Sequence, residues 1–443
     1  MIRYFLLAVF IVLIGSRALG LDIGLAPGIS VKNALLYTTA ILIAIDVSIA
    51  RNRQLELLSV ILPFVALIAY ATGSWVFIVV FGDYPSYSAF QTLIQLKLKL
   101  VDQLIVLLVF FYGVTNWQDA IWVVKGITWV LGFGCLVTVV DTFNIPDLGI
   151  ITARTSDGRV EGILGSAGEF SGLLAFFIPP MVALASAETG KTKALAFMGL
   201  GLGLISLLIA ATRGAMVGLI AGALAGAVLM RQHLSLQLIA RAGVAVVLLI
   251  AVSIVIVLST DFGAILQERM STGLQTGDLQ SLSSGRTRFW ADALGDMADH
   301  PMSFITGLGW EAYFQSIYRR YATHNVYLDR LYNLGLIGLT LFVLSYVSAI
   351  FIIRNSLARA PKQAVPYLMA TVIGMLALMA SMMFTDLQSA ASYSWAYAAL
   401  ALRVAVSAPI ASDPPAEPQP LDRRRIRDRT KFATRPMSLT PNR

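Results

Sequence analysis

The stretch His324–Ile353, HNVYLDRLYNLGLIGLTLFVLSYVSAIFII, sets the reading of the whole chain. From Leu334 to Ile353 no side chain is charged, and a helix of that length matches the hydrocarbon thickness of a bilayer. The first ten residues differ. They carry His324, Asn325, Asp329 and Arg330. A membrane helix that opens on so much polar chemistry has work to do at one face, and the rest of the chain says which face.

The 443 residues are 57% hydrophobic and 13% charged. A soluble chain carries about a quarter charged residues. Apolar runs recur along nearly the whole length, which reads as an all-α polytopic membrane protein. Twelve spans are expected, at about 3–20, 33–50, 55–73, 93–113, 119–140, 168–187, 194–211, 213–230, 242–259, 325–353, 365–384 and 389–407. Trp75–Phe81 is too short to cross alone; it prolongs the third helix or lies at the interface. The N-terminal apolar stretch, MIRYFLLAVFIVLIG, reads as an uncleaved first helix rather than a signal peptide. Cys135, the sole cysteine, permits no internal disulfide and no multi-cysteine metal site.

Charge orients the spans. Arg51 and Arg53, Lys191 and Lys193, Arg231 and Arg241, and Arg354, Arg359 and Lys362 fall on one side if the N-terminus is cytoplasmic. An even number of spans puts the C-terminus there too, and the tail RRRIRDRTK agrees. About half of the net charge of +8 lies in the last 31 residues, so the basic balance belongs to a tail and does not point to nucleic acid. That tail, from Asp413, is rich in proline and arginine and lacks the apolar content for a core. It suits contact with anionic lipid head groups, and a polysaccharide chain-length regulator is a candidate partner for it. The expected organisation is thus 1–259 as nine spans, 260–324 as a large outer loop, 325–407 as three spans, and 408–443 as a cytoplasmic tail.

Two outer loops are long, about 141–167 and 260–323. In the second, SSGRTRFWADALGDMADHP predicts an amphipathic helix. Ser283 and Ser284 supply caps, Trp290, Ala293, Leu294 and Met297 recur at helical spacing, and Pro301 ends it. Its apolar face suits the membrane or the transmembrane bundle. Arg286 and Arg288 stand in its first turn, where the helix dipole disfavours cations unless a polyanion binds; otherwise both are solvated surface arginines.

Arg213, in ATRGAMVGLIAG, lies where span seven meets span eight. It is either a snorkelling anchor or a functional charge. Gly214, Ala215, Gly218 and Gly222 around it allow close helix packing. Thr323 or Asn325 caps span ten, leaving His324 at its mouth, and Gly335 and Gly338 are spaced for tight packing against a neighbour. In span four Gln91, Gln95, Lys99 and Asp102 fall on one face. This stripe lines an acceptor or head-group pocket, or Lys99 and Asp102 pair to lock helices together. Arg154 and Arg159 add cations from the first outer loop. No Asp-x-Asp pair and no histidine–carboxylate cluster stands among them. Arginines with one histidine suit a phosphate-bearing substrate handled without a metal or cofactor, since planar guanidiniums grip phosphate in bidentate fashion.

The order of these motifs resembles the O-antigen ligase/Wzy-type polymerase superfamily. The His324–Asn325 pair, nine residues and Gly-x-x-Gly resemble its signature. TRGAMVGL resembles its outer-face arginine, with Val217 where leucine is usual. SGRTRFW, His300–Pro301 and GLGW resemble its large loop. RVEGILGSAGEFSGLLAFFIPP, Arg159–Pro180, resembles its entry to the sixth span, with GSAGEF departing from the usual Gly-Asn-Pro-Asn type. The likeness extends over about 150–345.

The resemblance implies a C-type, metal-independent, inverting glycosyltransferase of the bacterial inner membrane. Its donor is an undecaprenyl-diphosphate-linked glycan, met at the periplasmic face. Its acceptor is lipid A–core for a ligase, the next lipid-linked repeat of an O-antigen or exopolysaccharide for a polymerase, and a protein hydroxyl for a third branch. Carried onto this chain, the resemblance implies Arg213 and Arg286 on the diphosphate with Arg288 in reserve, and His324 as general base or as a further diphosphate contact. Arg154, Arg159, Lys99, Asp102 and Asn325 are expected to bind substrate. A transporter of lipid-linked glycan expects inverted repeats and midplane charges instead. A scaffold of an export complex has no need of the arginine–histidine grouping.

Overall fold

The described residues are mostly helical. In the computed structural model the described residues are 2–16, 23–49, 57–82, 84, 86–143, 158–233, single or short groups between 247 and 271, 285–315 and 322–407. After α1 (Ile2–Gly15) a small hairpin, β1 (Gly24–Ala26) and β2 (Ile29–Ser30), leads into α2 (Val31–Ile49). Then come α3 (Leu58–Phe81), α4 (Ala89–Leu96), a π-helical turn (Lys97–Val101), α5 (Asp102–Tyr112) and α6 (Trp117–Thr142). A single 3₁₀ turn (Gly162–Leu164) precedes α7 (Ala167–Ala187), α8 (Gly190–Ile209) and α9 (Arg213–Leu229). The long segment expected on the outer face contains α10 (Arg286–Asp299), α11 (Ser303–Thr306) and α12 (Ala312–Gln315). The chain then continues as α13 (Val326–Ser356), α14 (Val365–Ser381) and α15 (Gln388–Ser407).

Five of these, α3, α6, α7, α8 and α13, are long and apolar enough to cross a membrane, and α1, α9 and α14 are shorter apolar helices. The chain is a membrane protein. Trp75–Phe81 prolongs α3. Half of the expected ninth span, 242–259, lies outside the described residues, as do Ser283, Ser284 and Arg154. Gly285, in left-handed conformation, caps α10 in this structure.

Small residues set the closest seams. Cβ atoms added at Gly218 and Gly222 of α9 would lie 2.0 Å from Ser381 Oγ and 2.4 Å from the Ala377 nitrogen. The backbones of α9 and α14 therefore meet directly, as the glycine spacing predicted. In α7 the tandem Pro179–Pro180 frees the Phe176 carbonyl, and Gly374 of α14 sits against it. Ser166 caps α7, but the Glu169 side chain does not turn back onto its own helix. Its two oxygens accept from Ser389 N and Ala390 N at 2.9 and 2.7 Å, so it caps α15 instead.

Two elements depart from their expected shape. Gly335 holds φ +63°, ψ −169°, which breaks α13 one third of the way along. Its hydrogen faces the Ile305 carbonyl, which an added Cβ would approach to 2.2 Å; an added Cβ at Gly338 would strike Leu334 of its own helix. The two glycines therefore seat a loop and a kink, not a neighbouring span. The π turn adds a residue to the α4–α5 register and rotates the face that α5 presents. Lys99 and Asp102 are consequently not paired. Lys99 bonds Glu311 at 2.7 Å and Asp102 bonds Lys97 at 2.9 Å.

Candidate functional site

His324 stands between two residues that build the mouth of α13. The Asn325 side chain accepts from Tyr327 N and Leu328 N at 3.0 and 3.1 Å and caps the helix. Thr323 Oγ1 accepts from Asn325 N and donates to Asn325 O, closing a tight turn. That turn leaves His324 at φ +51°, a left-handed conformation that non-glycine residues rarely adopt. Ala211 and Glu311 share it, at φ +47° and +59°. Ala211 lies two residues before Arg213, and Glu311 lines a cavity that adjoins His324. Strain of this kind concentrates at functional sites.

The large outer loop reaches the same turn. Trp290 Nε1 donates to the Thr323 carbonyl at 3.0 Å. Arg286 lies one helical turn earlier on α10, so this bond holds it toward His324. Ala293 and Met297 of the same helix are buried against Tyr313, Leu328 and Tyr332, and Tyr332 donates to Asp296 at 2.9 Å. The amphipathic helix thus lies on the transmembrane bundle. Arg288, two residues on from Arg286, is exposed.

Burial pushes the His324 imidazole below its ordinary range; Arg286 adds to that, Asp386 opposes it, and Arg159 lowers it further. These four groups therefore share one electrostatic neighbourhood, drawn from the two long loops, the mouth of α13 and the turn before α15. Arg159 is tethered there by Val160 N, which donates to Ile209 O at the end of α8. Arg213 opens α9 a few residues later, and Gly214 beside it touches Phe384, two residues from Asp386.

The cavity, of about 200 Å³, is lined by Thr323 and Asn325, the two chain neighbours of His324. Gln91, Gln95, Lys99, Glu311, Asp329 and Asp386 line it. Three members of the span-four stripe thus face a common space with three carboxylates. Asp102 does not. It lines a separate cavity of about 90 Å³ with Lys32 and Asn33 and accepts from Tyr37. Among the described residues no three His, Cys, Asp or Glu side chains are grouped to hold a metal ion.

Asp386 and Glu311 escaped sequence reasoning. Asp386 is the one acid in the short link between spans eleven and twelve, and an inventory of every outer-face carboxylate would have flagged it. Glu311 follows the GLGW motif with no signal that its partner lies 212 residues earlier.

No curated protein matches the chain. The segment that carries Arg213, α10 and His324, residues 198–343 and about a third of the chain, is similar to the family whose model is described as O-antigen ligase.

Proposed function

We propose that the chain transfers a glycan from an undecaprenyl-diphosphate-linked donor to an acceptor sugar at the periplasmic face of the inner membrane, as an O-antigen ligase acting on lipid A–core. The observation that carries this is the shared neighbourhood of His324, Arg286, Arg159 and Asp386. The acceptor hydroxyl attacks the anomeric carbon and its proton passes to His324. The bond from that carbon to the diphosphate breaks, and the electron pair leaves with the phosphate oxygen. One direct displacement inverts the anomeric centre. Arg286 and Arg213, with Arg159, hold the diphosphate as its charge grows, and fixed cations in a partly dry site stabilise that charge at no cost of reorganisation. The depressed His324 pKa supports the base role, because the ring is then neutral near pH 7 and ready to accept a proton.

The polar cavity beside His324 suits a sugar, whose hydroxyls match its amides and carboxylates. Asn325 acts as a positioning residue, since its side chain is spent on the cap. Lys99 is spent on Glu311 and serves as a cavity wall. Arg288 and Asp102 stay outside this assignment.

One observation favours a second reading. Arg159 comes from the first outer loop and Arg286 from the second, and a polymerase joining lipid-linked repeat units is expected to use two basic loops.

His324→Ala should lower transfer by about 10²–10⁴-fold while the protein still inserts. Full activity removes His324 from the mechanism. The glycan profile of a deletion strain separates the two readings. Lipid A–core lacking O-chains, with long chains retained on the lipid carrier, identifies a ligase. Single repeat units in place of long chains identify a polymerase.

A further inference from the structure

We infer that residues 302–309 of the large outer loop form a re-entrant segment immersed in the outer leaflet, in contact with the acyl chains of the surrounding bilayer. Three observations place it there.

The first is depth. Tyr70 Oη donates to the Thr306 carbonyl at 2.9 Å. Tyr70 lies eleven residues before the end of α3, about 16 Å along the helix. Leu308 N and Gly309 N donate to the carbonyls of Tyr332 and Asn333 at 2.8 and 3.0 Å. Those residues lie six and seven positions beyond Val326, about 10 Å into α13. Helix α3 is 24 residues long, about 36 Å, and so overshoots a hydrocarbon core of roughly 30 Å by little. The segment therefore sits well below the outer ends of two spans.

The second is the surface it presents. Met302 is 67% exposed and Ile305 50%. The two helices they lie against are also exposed and apolar here, at Phe77, Val80 and Phe81 of α3 and at Leu336 and Ile337 of α13. The Ile305 carbonyl abuts Gly335, next to Leu336 and Ile337, and Gly309 abuts Ile78, next to Phe77; exposed apolar side chains bordering two membrane-length helices meet the same acyl chains.

The third is hydrogen bonding. Irregular backbone persists at membrane depth only where protein satisfies it. Every backbone N–H from Ser303 to Trp310 has a protein acceptor: six are carbonyls of the loop itself or of α13 at Phe304 to Gly309, His300 O serves Ser303, and Ser74 Oγ serves Trp310 at 3.1 Å. Tyr84 and Tyr87 hydroxyls donate to the Leu308 and Trp310 carbonyls. The break at Gly335 exposes the two α13 carbonyls this needs. Gly307 at φ +81° and Gly309 at φ +117°, where an added Cβ would overlap Ile78, let the loop press against both helices. The His-Pro and Gly-x-Gly motifs of the large loop are thereby accounted for as the descent and return of one segment.

The test uses nitroxide labels in a Cys135→Ala background, with the protein in nanodiscs of zwitterionic and anionic phospholipid and no glycan donor. Met302→Cys and Ile305→Cys are compared with Phe77→Cys as a lipid reference and Asp299→Cys as an aqueous one. Collisions with a water-soluble nickel chelate should be several-fold rarer at 302 and 305 than at 299, with oxygen accessibility matching 77. Nickel accessibility equal to that at 299 overturns the inference. Should a label disturb Ile305, Met302→Asp gives an independent reading: its Tm in nanodiscs should fall, whereas an unchanged Tm, expected of an exposed residue in water, overturns it.

Discussion

At His324 the backbone and the ionisation equilibrium are both under tension. The left-handed conformation costs a non-glycine residue about 1–2 kcal/mol. His324→Gly should therefore be more stable than His324→Ala by about 1 kcal/mol, read as a higher Tm in detergent, with both inactive. The pKa carries its own prediction. Burial, Arg286 and Arg159 favour the neutral ring and Asp386 favours the imidazolium. Asp386→Asn removes the group that holds the proton, so the acid limb of the kcat/KM profile should move to lower pH. Arg159→Gln removes a repelling cation, so the limb should move to higher pH. If neither limb moves, His324 is not the titrating base. That His324 is a candidate site residue was legible, because histidine is rare here and this one stands at a helix mouth. Which arginine and which carboxylate meet it was not, because Arg159 and Asp386 lie more than sixty residues away on either side.

At the scale of elements, two irregularities shape the site. The π turn sends Lys99 toward Glu311 in the large loop and Asp102 toward Tyr37 in α2. With side chains only 12% and 3% exposed, the Lys99–Glu311 pair binds span four to the loop after α11. Removing one partner leaves a buried charge, so Lys99→Met or Glu311→Gln alone should cost about 3–5 kcal/mol. Lys99→Met with Glu311→Met should recover much of that in a double-mutant cycle, and additive losses would contradict the pairing. At Gly335 an added methyl meets both an unfavourable φ and the Ile305 carbonyl. Gly335→Ala should cost about 2–3 kcal/mol or more, measured by thermal unfolding. A periodic hydrophobic pattern announces a helix, and it announced these two; it holds no mark of an inserted π residue or of a break that packing stabilises.

For the whole molecule, the charged loops predict sidedness, and labelling checks it. In the Cys135→Ala background, Ser283→Cys and Ser356→Cys should react with an impermeant thiol reagent from opposite faces. Reaction from the same face contradicts the arrangement. Cys135 is buried, and Cys135→Ala deletes a single heavy atom, so the background should retain the fold at a small cost in Tm.

The sequence by itself determined that this is a helical membrane protein, where its helices run, and that its polar chemistry gathers near one histidine. Those properties come from transfer free energies and helix periodicity, which are local sums over neighbouring residues. Only the tertiary structure decided that Asp386 and Arg159 attend His324, that Glu311 takes Lys99, and that Glu169 caps a helix 220 residues away. Those outcomes depend on which spans lie side by side, and burial then forces each charge and each freed carbonyl to find its partner among whatever packing has brought within reach.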